Sequence, residues 1–172
     1  MDDERNIDGY TVAYEREEIQ FPVYFVLCLG IGMLAWAFSK ANPIAFTLGS
    51  MAAGFALHNY PLLETGRPRL GAGQYGFFIE GLGVIAWRAI KDIELVAVSS
   101  RGAVDQELRI TLSTPVGSAL IADWRRRPVH RWLMRLPWSM RGGAICIPLE
   151  IFDRPPGEIH HNIKRLWRFF QA

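Results

Sequence analysis

The sequence predicts an N-terminal two-helix transmembrane hairpin followed by a small, mainly β domain closed by a C-terminal α-helix. Three observations predict this. Two uncharged apolar runs lie close together near the N-terminus, Phe21–Phe38 and Ile44–Leu57. From Arg67 the pattern changes to short apolar runs separated by glycine and other turn residues. The last stretch, from Asp153, returns to helical spacing.

The first run, FPVYFVLCLGIGMLAWAF, is eighteen residues without a charge, and the second, IAFTLGSMAAGFAL, is fourteen. A spanning helix needs about twenty apolar residues, so each run reaches that length only with its flanks. The alternative is two buried helices of a soluble α-helical core, but a water-facing helix would show a polar stripe at a 3.6-residue period, and neither run does. Ser39-Lys40-Ala41-Asn42-Pro43 links them, with Pro22 and Pro43 suited to first helical turns. Tyr24, Trp36, Phe38, Phe46 and Tyr60 lie toward the ends, where aromatic rings favour the headgroup level. Gly30, Gly49, Ser50 and Gly54 are small enough for close helix packing, within the hairpin or against another subunit.

Charge is unevenly distributed. Residues 1–20 form an acidic tail with seven acids against Arg5 and Arg16, a net of −5. Residues 61–172 carry sixteen Lys/Arg against ten Asp/Glu, a net of +6. Lys40 is the only cation at the hairpin tip. The positive-inside rule therefore assigns both termini to the cytoplasmic side. The N-terminus lacks the basic n-region of a signal peptide. Cys28 and Cys146 read as reduced packing residues rather than a disulfide framework.

About seven strands are expected: Arg67–Ala72, Gly76–Ile79, Val84–Trp87, Ile93–Ser100, Gln106–Leu112, Ser118–Ala122 and Ala144–Leu149. Gln106–Leu112 alternates cleanly, with Leu108, Ile110 and Leu112 on one face. The helix follows, with Asp153 as a capping candidate, early prolines and Glu158 in the first turn. Ile159, Ile163, Leu166, Trp167 and Phe170 line one face of it.

This order of elements resembles the pleckstrin-homology fold. Gln74-Tyr75-Gly76-Phe77-Phe78-Ile79, then Val84-Ile85-Ala86-Trp87-Arg88-Ala89-Ile90-Lys91-Asp92-Ile93, is similar to a signature of bacterial pleckstrin-homology-like (PH-like) membrane proteins. So is the stretch from Ile147 to Ile163. The resemblance covers roughly residues 67–170 and, more loosely, the hairpin. It implies a barrel of about seven strands over 67–171, closed by the helix, behind a hairpin over 21–60. It also implies a multi-pass protein of the bacterial inner membrane. The family brings no catalytic residues.

Residues 123–141, DWRRRPVHRWLMRLPWSMR, form a basic aromatic insertion against that pattern. Trp124, Arg125, Arg126, Arg127, Arg131, Trp132, Arg135 and Trp138 are candidate contacts for lipid headgroups or a protein partner. A plain strand connection is the alternative. Aromatic-basic composition also suits nucleic acid, but a membrane tether argues against that partner. Gly71-Ala72-Gly73-Gln74-Tyr75-Gly76 matches G-x-G-x-x-G literally, yet it leads into a strand rather than a helix, so no nucleotide is expected. No catalytic constellation emerges, and no metal or other cofactor is expected: His160 and His161 are adjacent and diverge on a helix. A membrane enzyme would need a pocket gathering Glu80, Asp123 or His130. The expected function is a non-catalytic membrane-anchored interaction module. It would be an accessory or assembly subunit that binds a protein partner, or a homo-oligomer, through the PH-like domain and hairpin. The alternative is a sensor of phospholipid headgroups.

Overall fold

Asn42 ends one helix and begins the next. In the computed structural model, α1 runs over Gln20–Lys40 and α2 over Pro43–His58. Ala41 takes a left-handed conformation (φ 48°), and the Asn42 N–H donates to the Ala37 carbonyl at 3.1 Å. That bond closes α1 in a Schellman-type stop. The Asn42 side chain then accepts from the Ile44 and Ala45 N–H groups at 3.0 and 3.1 Å, capping α2. Pro43 sits in the first turn, where its missing N–H costs nothing. The structure describes residues 9–14, 20–64, 66–100, 103–125 and 134–171.

The seam between the two helices is narrow. Val23, Gly30 and Ala37, seven residues apart, are buried on α1, and Ala45, Gly49 and Ala56 on α2. A Cβ on Gly30 would meet the Ala53 nitrogen and the Gly49 carbonyl, and one on Gly49 would press into Leu34. Glycine thus sets the distance of closest approach. Phe38 and Phe46 meet edge to face near the tip, 5.7 Å between centroids. The open end is tied by Gln20, whose Nε2 donates to the Leu63 carbonyl in the short 3-10 turn Tyr60–Leu63. At 1.5 Å per residue, α1 is about 31 Å long and α2 about 24 Å. Of the two, α1 is long and apolar enough to cross a membrane, whereas α2, with 16 residues, is shorter.

The chain divides into two compact units. The helix pair belongs to one. The other holds two antiparallel sheets and the C-terminal helix. Its first sheet is ordered β1-β2-β3-β4-β7, with β1 Tyr10–Val12, β2 Leu70–Gly73, β3 Gly76–Ile79, β4 Gly83–Ile85 and β7 Leu120–Asp123. The second is ordered β5-β6-β9-β8, with β5 Ile90–Ser100, β6 Ala103–Leu112, β8 Ser139–Arg141 and β9 Ala144–Pro148. A one-turn helix, α3 (Val116–Ala119), precedes β7, and α4 covers Pro156–Gln171.

Alternation decides which side chains enter the core. Val12, Leu70, Phe77, Ile79 and Ile85 are buried from the first sheet, and Ile93, Leu108, Ile110, Ile145 and Ile147 from the second. Ile159, Ile163, Leu166 and Trp167 of α4 are buried too, and α4 contacts strands of both sheets. Each fully buried Ile or Leu contributes about 1.5–3 kcal/mol of transfer free energy.

The described residues hold nine strands, not about seven. The acidic tail contributes β1, which is not among the expected strands and pairs with β2 as Tyr10↔Ala72 and Val12↔Leu70. The basic insertion contributes β8. The expected strand over Val84–Trp87 stops at Ile85, and Trp87–Ala89 forms a 3-10 turn. The expected strand over Ser118–Ala122 is part helix. Asp153 does not cap α4, which starts at Pro156. Its N–H instead donates to the Ala13 carbonyl and its carboxylate accepts the Ala13 N–H.

Candidate functional site

The basic insertion enters and leaves through one turn. β3 and β4 are joined by Glu80-Gly81-Leu82. The Trp124 N–H donates to the Leu82 carbonyl at 3.1 Å, and the Trp138 indole donates to the Glu80 carbonyl at 3.1 Å. Two tryptophans fourteen places apart are therefore pinned to carbonyls two residues apart. Gly83 makes the close approach possible. It has φ 125°, and a Cβ there would run into the Ala122 carbonyl of β7.

A partly buried ion pair holds the turn. Arg69, only 1% exposed, pairs with the Glu80 carboxylate. Its guanidinium also lies 5.0 Å from the centre of the Tyr14 ring, which stacks on Phe152. A buried arginine needs such compensation, because an unpaired charge in the core costs several kcal/mol. Glu80 is thus committed to Arg69, and Asp123 to Arg125, rather than to a shared pocket.

The expected contact residues divide three ways. Trp124 is half exposed and lies edge to face with Phe78, 5.4 Å apart. Trp138 is half-buried and spends its only donor on Glu80. Arg125 is exposed and forked onto Asp123, Nε to Oδ1 at 2.9 Å and Nη2 to Oδ2 at 2.6 Å. That hydrogen bonding raises the Arg125 pKa further. Arg126, Arg127, Arg131 and Trp132 lie outside the described residues, as does His130. Arg135 has an exposed side chain, and its N–H donates to the His58 carbonyl at the end of α2, at 2.8 Å.

Of the four small helix residues, Gly30 and Gly49 meet in the seam. Ser50 and Gly54 face outward, with open space around Gly54. Among the described residues no group of His, Cys, Asp and Glu could hold a metal ion. His160 lies 3.3 Å from the Ile93 carbonyl and His161 is exposed.

One constellation escapes sequence reasoning. Glu107 on β6 is 6% exposed although it occupies the face opposite Leu108 and Ile110. Arg141 Nη1 reaches its Oε2 at 3.3 Å, and Arg109 lies 3.8 Å from its Oε1. By register, Glu107 stands opposite Pro148 and Arg141 opposite Ala144, so Cys146 lies between them. The ion pair crosses over Cys146, which is fully buried. Burial first, and then the Glu107 carboxylate, push the Cys146 thiol pKa up. The signal in sequence is only the pair Glu107 and Arg141, thirty-four residues apart, and nothing local connects them.

Comparison with protein-family models, curated proteins and solved structures finds no match. The functional reading therefore rests on the residues and their arrangement.

Proposed function

We propose that this chain is a non-catalytic, membrane-anchored interaction module of PH-like organisation. Its helix pair enters the bilayer as a hairpin, and both termini and the β domain lie on the cytoplasmic side of a bacterial inner membrane. There it serves as an accessory or assembly subunit that holds a protein partner. The observation that carries the anchor is the surface of the helix pair. Phe21, Phe25, Leu29, Ile31, Trp36, Ile44, Met51 and Phe55 are all about half exposed or more, and only the narrow seam is covered. Exposed apolar area on that scale has no place in water. Lys40 alone at the tip, against eighteen other Lys/Arg, supports the orientation. Purification in mild detergent should co-isolate a stoichiometric partner or a defined oligomer. A monomer free of any partner would count against the module reading.

A second reading is headgroup contact by the basic insertion. It is favoured by the hydrogen bond from Arg135 to His58, which ties the insertion to the end of an apolar helix. Each basic residue near an anionic leaflet is worth about 1 kcal/mol. Neutralising Arg125, Arg126 and Arg127 together should weaken association with anionic lipid by about 3 kcal/mol if all three touch it. Unchanged association would remove this reading and leave the partner reading standing.

A further inference from the structure

The arginines of the β unit differ in whether the fold neutralises them. Arg69 is paired with Glu80, Arg109 and Arg141 with Glu107, Arg125 with Asp123, and Arg154 with Glu158. Lys164 lies 4.0 Å from Asp92 and donates to the Ile93 carbonyl. Arg88, Lys91, Arg165 and Arg168 have no ion pair among the described residues, and all four are exposed.

Those four cations come from two distant parts of the chain, and packing joins them. Phe170 on α4 stacks on Trp87, 6.4 Å between centroids and 8° between planes. Gln171 Nε2 reaches the Ile90 carbonyl at 3.5 Å. The 3-10 turn carrying Arg88, and Lys91 just after it, therefore sit at the C-terminal end of α4. Arg165 and Arg168 lie on that end, and between them and the terminus Phe169 stands 58% exposed. Its ring is edge-on to Phe170, 5.0 Å away, so one of the two neighbouring phenylalanines is half-buried against Trp87 and the other stands in solvent.

The geometry points to this pole as a docking surface for an anionic lipid bilayer. Cations without acid partners meet lipid phosphate, and an exposed aromatic ring suits the boundary between headgroups and acyl chains. Charge complementarity selects the occupant: four cations without acid partners gather at this pole, where Asp92 faces Lys164, and cytoplasmic leaflets are negative. The inference rests on the membrane-anchor reading, because a tethered domain meets its own bilayer at high effective concentration. It involves none of the residues of the basic insertion. Some of the attraction of Arg165 and Arg168 is to the helix dipole, but that accounts for neither Arg88 and Lys91 nor the exposed Phe169.

The test uses the whole chain in lipid nanodiscs, either phosphatidylcholine alone or phosphatidylcholine with phosphatidylglycerol. A fluorophore is placed at Gln171→Cys in a Cys28→Ser background, and quenching by headgroup-spin-labelled lipid is read. Docking predicts strong quenching in the anionic discs and little in the neutral ones. Each cation contributes about a fivefold change in occupancy, so R88E with R168E should lower the docked fraction at least that much. R88K with R168K should retain it, which separates lost charge from lost folding. F169S should weaken docking without changing its dependence on anionic lipid. Equal quenching in both kinds of disc, or quenching unaffected by R88E with R168E, would overturn the proposal. So would protection of the label in neutral discs by a co-purifying protein, which would assign the pole to protein binding. A chain that fails to enter the discs defeats the anchor reading and this one together. A chain that enters but is not quenched defeats this one alone.

Discussion

Cys146 shows how a side chain's behaviour follows from what lies across it. The Arg141–Glu107 pair covers it on one face and the sheet closes the other. It should resist alkylation in the folded protein, and Arg141→Ala should speed labelling at least several-fold by opening the cover, as followed by mass spectrometry. Burial raises the pKa of both the Cys146 thiol and the Tyr10 phenol above their ordinary values. A raised acid favours its neutral form in the native state, so its stabilising contribution is complete below the unfolded pKa. It is lost as pH climbs through the folded value. Thermal stability should therefore fall above about pH 9, and Cys146→Ala should remove part of that decline. At Gly83 the constraint is steric. With φ at 125° and the Ala122 carbonyl in the way, Gly83→Ala should destabilise by about 2 kcal/mol or more, measured by denaturant titration of the detergent-solubilised protein. In the core, Leu108→Ala should cost about 2–5 kcal/mol through lost transfer energy and the cavity left behind.

Elements were legible where their signal is local and periodic. β6 shows itself by the alternation of Leu108, Ile110 and Leu112, and α4 by Ile159, Ile163 and Leu166 at helical spacing. The hairpin turn is legible as well, since Asn42-Pro43 carries both a cap and a starter. β1 was hidden because three residues in an acidic stretch carry no period, and its strand character comes from β2, sixty residues away. β8 was hidden for the same reason inside a run of arginine and tryptophan. Asp153 looked like a cap because local sequence cannot show that Ala13 competes for its carboxylate. The roles of Trp124 and Trp138 depended on a turn 42 and 58 residues upstream of them. Composition marked them as unusual but could not distinguish an anchor from a contact. The bond from Trp138 to Glu80 now predicts that Trp138→Phe loosens the insertion by about 1 kcal/mol. Limited trypsin digestion should then cut within residues 125–131 faster than in the parent chain. In the helix pair, the tight approach at Gly30 and Gly49 predicts that Gly49→Ile separates the helices, whereas Gly54→Ile is tolerated unless a second subunit packs there. Thermal denaturation in detergent distinguishes the two.

The whole molecule combines an apolar helix pair with a β unit whose surface charges are partly neutralised within the fold and partly left open. One helix is long and apolar enough to span a bilayer, and its shorter partner follows after Ala41 and the capping residue Asn42. Of the nineteen Lys/Arg, Lys40 alone lies between the two apolar runs. Everything proposed about function depends on this topology, because a binding domain on the other face, or free in water, would meet different partners. The most direct test is cysteine accessibility in intact bacterial cells, in a Cys28→Ser background, with a membrane-impermeant maleimide. The account predicts that Ser39→Cys at the tip is labelled from outside, while Gln171→Cys on α4 is labelled only after the cells are opened. Labelling of Gln171→Cys from outside, or release of the chain from membranes by carbonate at high pH, would contradict it.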